Sequence, residues 1–273
     1  MPSLGLGLGT NRINPLFRGL LNEYSGAAAA YSLEKLSSGT NNVVRVRRSS
    51  DDAESDFTAQ QVSDGTLTTW TGANDGFVVT WYDQSGNSND ATQATAASQP
   101  KIVSAGTYLG EVDFDGTDDY LETSGTVSFT QPTTAFTVVN NDVTFFGGIA
   151  TLAPDINTTS VWSVFVANTN NAAQLSSAYL PSSTGSHPIN TYVLSTFLTN
   201  STASKFWFDG VEDITGDAGS VNPSGKLSLG SVNSGSGPLH LKGQVKEVII
   251  YDSDQSANRT GIEANINGRY SIY

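Results

Sequence analysis

Cysteine is absent from the 273 residues, which rules out a disulfide framework, thiolate chemistry and a cysteine-ligated metal. Histidine is almost as scarce. Only His187 and His240 could act as the base of a nucleophile triad, and both are expected to face solvent: His187 precedes Pro188 in a Ser- and Gly-rich stretch, and His240 lies on the polar side of an alternating strand. Cations are few. Lys and Arg total 13 against 26 Asp and Glu, a formal net charge of −13. Phosphate binding needs clustered cations, so this balance argues against nucleic acid or an anionic membrane surface as partner. No apolar run approaches the length of a membrane span, so no membrane insertion is expected. The opening Met1-Pro2-Ser3-Leu4-Gly5-Leu6-Gly7 lacks the charged region of a signal peptide, and synthesis in a cytoplasm is expected. Gly5-Leu6-Gly7-Leu8-Gly9 has no strand before it and is not a phosphate loop.

With 37% apolar residues the chain can bury a proper core, as one large all-β domain or two small ones. Its most telling stretch runs from Val78 to Asp90. Phe77-Val78-Val79-Thr80-Trp81-Tyr82 carries the residue types that a pleated, buried surface favours. Asp83, Ser85, Asn87, Asn89 and Asp90, with Gly86 among them, then end the strand in a polar loop. Oxygen donors at every second position are of the kind calcium takes. The loop is no EF-hand, however, since Ser88 and Ala94 stand where Gly and Glu are wanted. A hydrogen-bonded Asx-rich turn that locks the strand exit is the preferred reading, and calcium is the only cofactor worth naming. Arg45, Arg47 and Arg48 alternate beside Asp51, Asp52 and Glu54 and are expected to form an internal ion-pair patch.

Residues 1 to 25 differ from the rest. Leu4, Leu6 and Leu8 alternate with glycines, and Ile13, Leu16 and Phe17 follow. Such a strand is costly to order alone. It reads either as an arm that docks on a neighbouring subunit by strand addition or as a loose terminus. Farther on, Ala27 to Leu36 is expected as a strand or short helix and Asp51 to Thr58 as a polar turn. Gln60 to Gly76 reads as loop apart from Leu67 to Trp70, and Gln93 to Gln99 as surface linker. Strand-like segments then recur about every ten residues between Gly-, Asn- and Asp-rich turns, the pattern of a sandwich. Val248 to Tyr251 is apolar on both faces, as in a central strand. Ser256 is expected to cap a short helix that buries Ile262 and Ile266 and ends at Gly268.

Tyr31 to Ser38, Val44 to Glu54, Trp81-Tyr82-Asp83-Gln84-Ser85-Gly86-Asn87, Asn89 to Gln93 and Gln99 to Val103 together resemble the arabinofuranosidase B catalytic-domain signature. That signature also recurs, without the enzyme, in bacteriophage tail and virion proteins. Phe114-Asp115-Gly116-Thr117-Asp118-Asp119-Tyr120-Leu121 resembles the early hairpin of the concanavalin A-like, laminin G-like jelly roll. Phe136 to Val139, Val161 to Val166, Lys205 to Val211, which ends in an Asp209-Gly210 hairpin turn, and Lys226 to Gly230 resemble its later strands. The resemblance implies an all-β concanavalin A-like jelly-roll β-sandwich of two antiparallel sheets with one short C-terminal helix. An extended N-terminal arm (residues 1–25) would precede a single sandwich domain (26–273). The lack of cysteine departs from the cystine-containing secreted arabinofuranosidases.

Glycoside hydrolysis needs two carboxyl groups across one bond. Asp83, Asp90, Asp113, Asp115, Asp118, Asp119, Glu122, Asp209 and Glu247 are available, but no motif pairs them, and Asp118 and Asp119, which on a strand would face opposite ways, make a poor dyad and good turn residues. Carbohydrate recognition would use exposed aromatic rings, for which Trp70, Tyr82 and Tyr179 are the candidates, whereas Trp81 and Trp207 are expected in the core. The reading at this level is a non-enzymatic bacteriophage virion protein, a tail or head fibre or capsid decoration component. Its lectin-like domain would contact host-surface glycans, and its partners would be other virion proteins and copies of itself. An arabinofuranosidase-like glycosidase is the alternative.

Overall fold

The computed structural model describes residues 19–142, 147–153, 162–166, 188–220, 222–233 and 238–273. Within them the expected all-β sandwich is present and every pairing between its strands is antiparallel.

One sheet runs Val211–Gly216, Ser204–Phe208, Tyr192–Thr199, Thr133–Asn141 and Lys242–Tyr251. The far edge of Lys242–Tyr251 is shared: Thr107–Asp115 pairs with its first half and Ala27–Ser32 with its second. The other sheet runs Glu54–Thr58, Asn42–Arg48, Gly76–Trp81, Ala91–Thr92, Leu121–Thr123, Ser224–Leu229, Gly147–Ala153 and Trp162–Val166. Lys101–Ser104 pairs with both Gly76–Trp81 and Thr107–Asp115 and stitches the two sheets together.

The inner faces meet in one apolar cluster that includes Tyr31, Val248, Ile250 and Phe206 from the first sheet and Val44, Trp81, Leu227 and Trp162 from the second. Tyr31 and Trp81 touch across it with ring centroids 5.9 Å apart, and both Trp81 and Trp207 are buried as expected. Val248 to Tyr251 is apolar on both faces because both are covered. Val248 and Ile250 face the inter-sheet core, while Ile249 and Tyr251 join Phe136 and Val138 in a second cluster beneath Ile262, Ile266, Leu20 and Leu21. Each such aliphatic side chain contributes about 2 kcal/mol by leaving water.

Several local expectations are corrected. Asp51 to Thr58 is only partly a turn, because Glu54–Thr58 forms a strand. Its partner strand places Arg45 directly opposite Asp56, and opposed charges stabilise such a pair. Gln60 to Gly76 holds two helices, Ala59–Ser63 and Thr66–Thr71. The first is started by a capping box in which Thr58 and Gln61 satisfy each other's backbone amides. Gln93 to Gln99 is no simple surface linker, since Gln93, Ser98 and Gln99 are buried. The Asp115-Gly116 turn closes no hairpin. The strand before it pairs with Lys242–Tyr251 and the strand after it with Ser224–Leu229, so the turn carries the chain from one sheet to the other.

The last helix is Arg259–Tyr270, with Ile262 and Ile266 fully buried. It starts after Ser256 because the Ser256 amide is taken by the Asp254 carboxylate in an Asx turn. It runs past Gly268 because the Asn267 side chain accepts the Ile272 and Tyr273 amides beyond the helix end. The expected hairpin at Asp209-Gly210 is present, with positive φ at both residues.

Candidate functional site

The loop after Trp81 folds back along the strand Ala27–Ser32. Asp83 accepts the Ala30 and Ser85 amides on Oδ1, each at 2.9 Å, and the Ser85 hydroxyl and Asn89 amide on Oδ2 at 2.6 and 3.0 Å. Gln84 is buried, with Oε1 accepting the Leu36 amide and Nε2 donating to the carbonyls of Ser32 and Glu34. The side-chain amides of Asn87 and Asn89 donate to the carbonyl of Ala28. Side chains thus do for this edge what a further strand would do, and satisfy its backbone groups. The Asx-turn reading of Asp83, Ser85, Asn87, Asn89 and Asp90 follows this geometry. A calcium ion would have to displace the four donors on Asp83, because calcium needs carboxylate oxygens free to face it.

The same loop walls a cleft of about 390 Å³, whose lining includes Tyr82, Asp83 and Asp90 from the loop and Thr40, Asn41 and Asn42 from the segment that leads into the strand Asn42–Arg48. Tyr82 is half-buried, and its hydroxyl donates to Asp56 Oδ1 at 2.7 Å. Arg45 Nε donates to the same oxygen at 2.9 Å. Two carboxyl groups near Tyr82 are pushed in opposite directions. Burial raises Asp90, against the hydrogen bond it accepts from the Asp83 amide. Burial also acts to raise Asp56, but the hydrogen bonds from Arg45 and Tyr82 outweigh it and bring Asp56 below its usual range. The Tyr82 phenol is itself pushed up to about 12 by burial and by its bond to Asp56. Burial thus favours the protonated form of Asp90 while hydrogen bonding favours the charged form of Asp56, the sense in which the two carboxyl groups of a glycosidase differ.

Asp56 was missed in the sequence. Its role comes from cross-strand register with Arg45, which no local motif carries, although the ion pairing of the arginines was expected: Arg45 meets Asp56 and Glu54, Arg47 meets Asp52, and Arg48 meets Asp51.

The other expected site residues lie elsewhere. Trp70 is half-buried, edge-on to Phe57 with Arg48 4.8 Å above its ring, so it does not join the cleft. Tyr179, His187 and the arm residues Leu4, Leu6, Leu8, Ile13, Leu16 and Phe17 lie outside the described residues. Asp118 and Asp119 sit in a turn, as their residue types suggest, and not on a strand. Their carboxylates and that of Asp115 lie within 4.8 Å of one another, and burial pushes Asp119 up to about 7. Glu247 is fully buried against Arg269 and Tyr270, Glu122 pairs with Lys226, and Asp209 accepts the Leu194 amide. His240 is half-buried, with Nδ1 3.2 Å from the Asp119 carbonyl oxygen.

No protein-family model and no curated protein sequence matches the chain. Among solved structures it is similar to a GH54 α-L-arabinofuranosidase soaked with a cyclic sulfate inhibitor, with a TM-score of 0.64 and 14% identity over 88% of this chain and 62% of that one. It is also similar to an arabinofuranosidase complexed with arabinofuranosyl-α-1,2-xylobiose, with a TM-score of 0.62 and 15% identity over the same shares. A sialidase from Trypanosoma rangeli follows at a TM-score of 0.47, 14% identity, and 69% and 31% of the two chains. The chain therefore spans 62% of the length of the arabinofuranosidase structures that it matches. The expectation of a chain without enzymatic activity is corrected by this likeness: over most of its length the chain has the β-sandwich fold of solved arabinofuranosidases.

Proposed function

We propose that the chain is a carbohydrate-acting protein, an arabinofuranosidase-like glycoside hydrolase sandwich that seats a sugar residue in the cleft beside Tyr82. The observation that carries this reading is the cleft itself. The Trp-Tyr-Asp-Gln-Ser-Gly-Asn block that resembles the arabinofuranosidase signature supplies Tyr82 to Gly86 to its wall. Its volume is within the range of small-ligand sites, roughly 300–1,000 Å³, and an aromatic ring with convergent amides and carboxyls is what a sugar requires. In this reading Asp90 donates its proton to the departing oxygen as the glycosidic bond breaks, water adds to the anomeric carbon, and the proton that the water loses returns to the Asp90 carboxylate. Asp56, charged and fixed by Arg45, holds Tyr82 in place against the sugar face. The test is release of 4-nitrophenol from 4-nitrophenyl α-L-arabinofuranoside. Turnover by the unmodified chain and its loss in Asp90→Asn, with sugar binding kept, supports hydrolysis. Absence of turnover with binding intact reduces the reading to glycan binding.

Placement in a bacteriophage virion rests on the sequence blocks alone, as do copies of itself, other virion proteins and host-surface glycans as partners. Finding the chain in purified particles, or its absence from them, decides that placement.

A further inference from the structure

Among the described residues, Val211–Gly216 pairs only with Ser204–Phe208 and forms one edge of its sheet. An edge strand leaves a row of N–H and C=O groups open to another chain. This edge also has incomplete apolar cover. Ile214 is half-buried and packs on the margin of the inter-sheet core, and Val211 at the strand's start is 70% exposed. On the outer face, Glu212 is countered by Lys205 at 3.0 Å, and Lys205 lies over the Trp207 ring.

We propose that residues 4–9 of a second copy, Leu4-Gly5-Leu6-Gly7-Leu8-Gly9, add to this edge as a further strand. Side chains alternate between the faces of a strand, so the three leucines would share one face and the glycines the other. The leucine face would cover Val211 and Ile214. The glycine face, having no side chains, would pass the Glu212 and Lys205 pair without displacing it. Backbone hydrogen bonds along the edge would offset the cost of ordering a glycine-rich segment.

A second copy is the occupant because of where the described chain starts. Leu20 packs with Ala27 and Ala30 at the opposite edge of the same sheet. Five strand spacings separate the two edges, about 24 Å. Residues 10–18 can span about 30 Å when fully extended, so a chain docking on its own edge would have to stretch nearly taut. Its path would also cross a face already covered by the helix Arg259–Tyr270. A neighbouring copy has no such constraint.

The experiment is light scattering on the full chain over a range of concentrations, beside full-chain variants carrying Leu6→Asp with Leu8→Asp, or Thr215→Pro. Self-association of the unmodified chain, weakened about tenfold or more in the leucine variant, supports the proposal. The leucine variant leaves every described residue intact and so separates docking from folding, should Thr215→Pro disturb the hairpin. A monomeric unmodified chain overturns the proposal, as does association that survives the leucine changes. Slow amide exchange at Val211–Gly216 in a monomer, lost in the leucine variant, would assign the edge to the chain's own arm and overturn the second copy.

Discussion

The Asp83 carboxylate accepts the backbone amide of Ala30 at 2.9 Å across 53 positions of sequence, and this bond anchors the cleft loop to the edge of the sandwich. Asp83→Ala would leave the Ala30, Ser85 and Asn89 amides without their acceptor. Unpaired donors of this kind cost roughly 1–3 kcal/mol each when buried, and partial rehydration of the loop reduces the sum to about 3 kcal/mol. Urea unfolding measures it. A loss under about 1 kcal/mol would show that the loop does not depend on this carboxylate.

Calcium should leave stability unchanged. A bound ion at a hundredfold excess over its dissociation constant would add about 2.7 kcal/mol. With the Asp83 oxygens engaged by four donors, the unfolding midpoint is expected to coincide in calcium and in chelator. A higher midpoint in calcium would require the loop to rearrange around the ion.

Asp119 makes stability depend on pH. Its folded-state value, raised by burial to about 7, lies above the ordinary 3.8. The folded chain therefore binds more protons than the unfolded one between those limits. Its contribution is fully present below about pH 4 and is lost as pH rises through about 7, a change of up to roughly 4 kcal/mol. Asp119→Asn keeps an acceptor for the Asp115 amide, which now meets Oδ2 at 3.0 Å. The variant should flatten the fall and be the more stable protein above pH 7. Equal pH slopes in variant and parent would contradict this origin.

Two glycines should respond oppositely to alanine. A Cβ at Gly225 would lie 2.3 Å from the Ala153 carbonyl oxygen, a contact with backbone that cannot move aside cheaply. Gly225→Ala is expected to cost about 3 kcal/mol. A Cβ at Gly268 meets nothing within 4 Å, and the residue lies within the helix Arg259–Tyr270. Gly268→Ala should therefore stabilise by about 0.5–1 kcal/mol. Thermal melts of the two variants check both signs.

Much of the sandwich is legible in the sequence because its signals are local. The aromatic run of Ser204–Phe208, the Asp209-Gly210 turn, and the doubly apolar Val248 to Tyr251 each identify themselves within a few residues. The capping box of Thr58 and Gln61 was equally local, and reading it would have found the helix Ala59–Ser63. Glu54–Thr58 was hidden because its strand is polar and rests on cross-strand charges with Arg45. The crossing at Asp115-Gly116 looked like a hairpin because turn residues announce a reversal without saying which sheet receives the next strand. For the site, Tyr82 and Asp90 could be named from their block. The opposite shifts of Asp90 and Asp56 depend on register and burial, which emerge only on folding.

The cleft's chemistry also has a pH signature. Because burial raises Asp90, its role as proton donor predicts that turnover falls as pH rises through its shifted value. Asp90→Asn should remove turnover by about 10²-fold or more, the usual scale for a lost general acid, with sugar affinity changed far less. A variant that keeps its rate would move the acid elsewhere.

The most direct measurement is calorimetric titration of an arabinofuranosyl oligosaccharide into the unmodified chain and into Tyr82→Ala. Saturable binding to the unmodified chain is expected, with a loss of about tenfold or more in affinity in the variant. No saturable binding, or equal affinity in the two proteins, would contradict a sugar site at Tyr82.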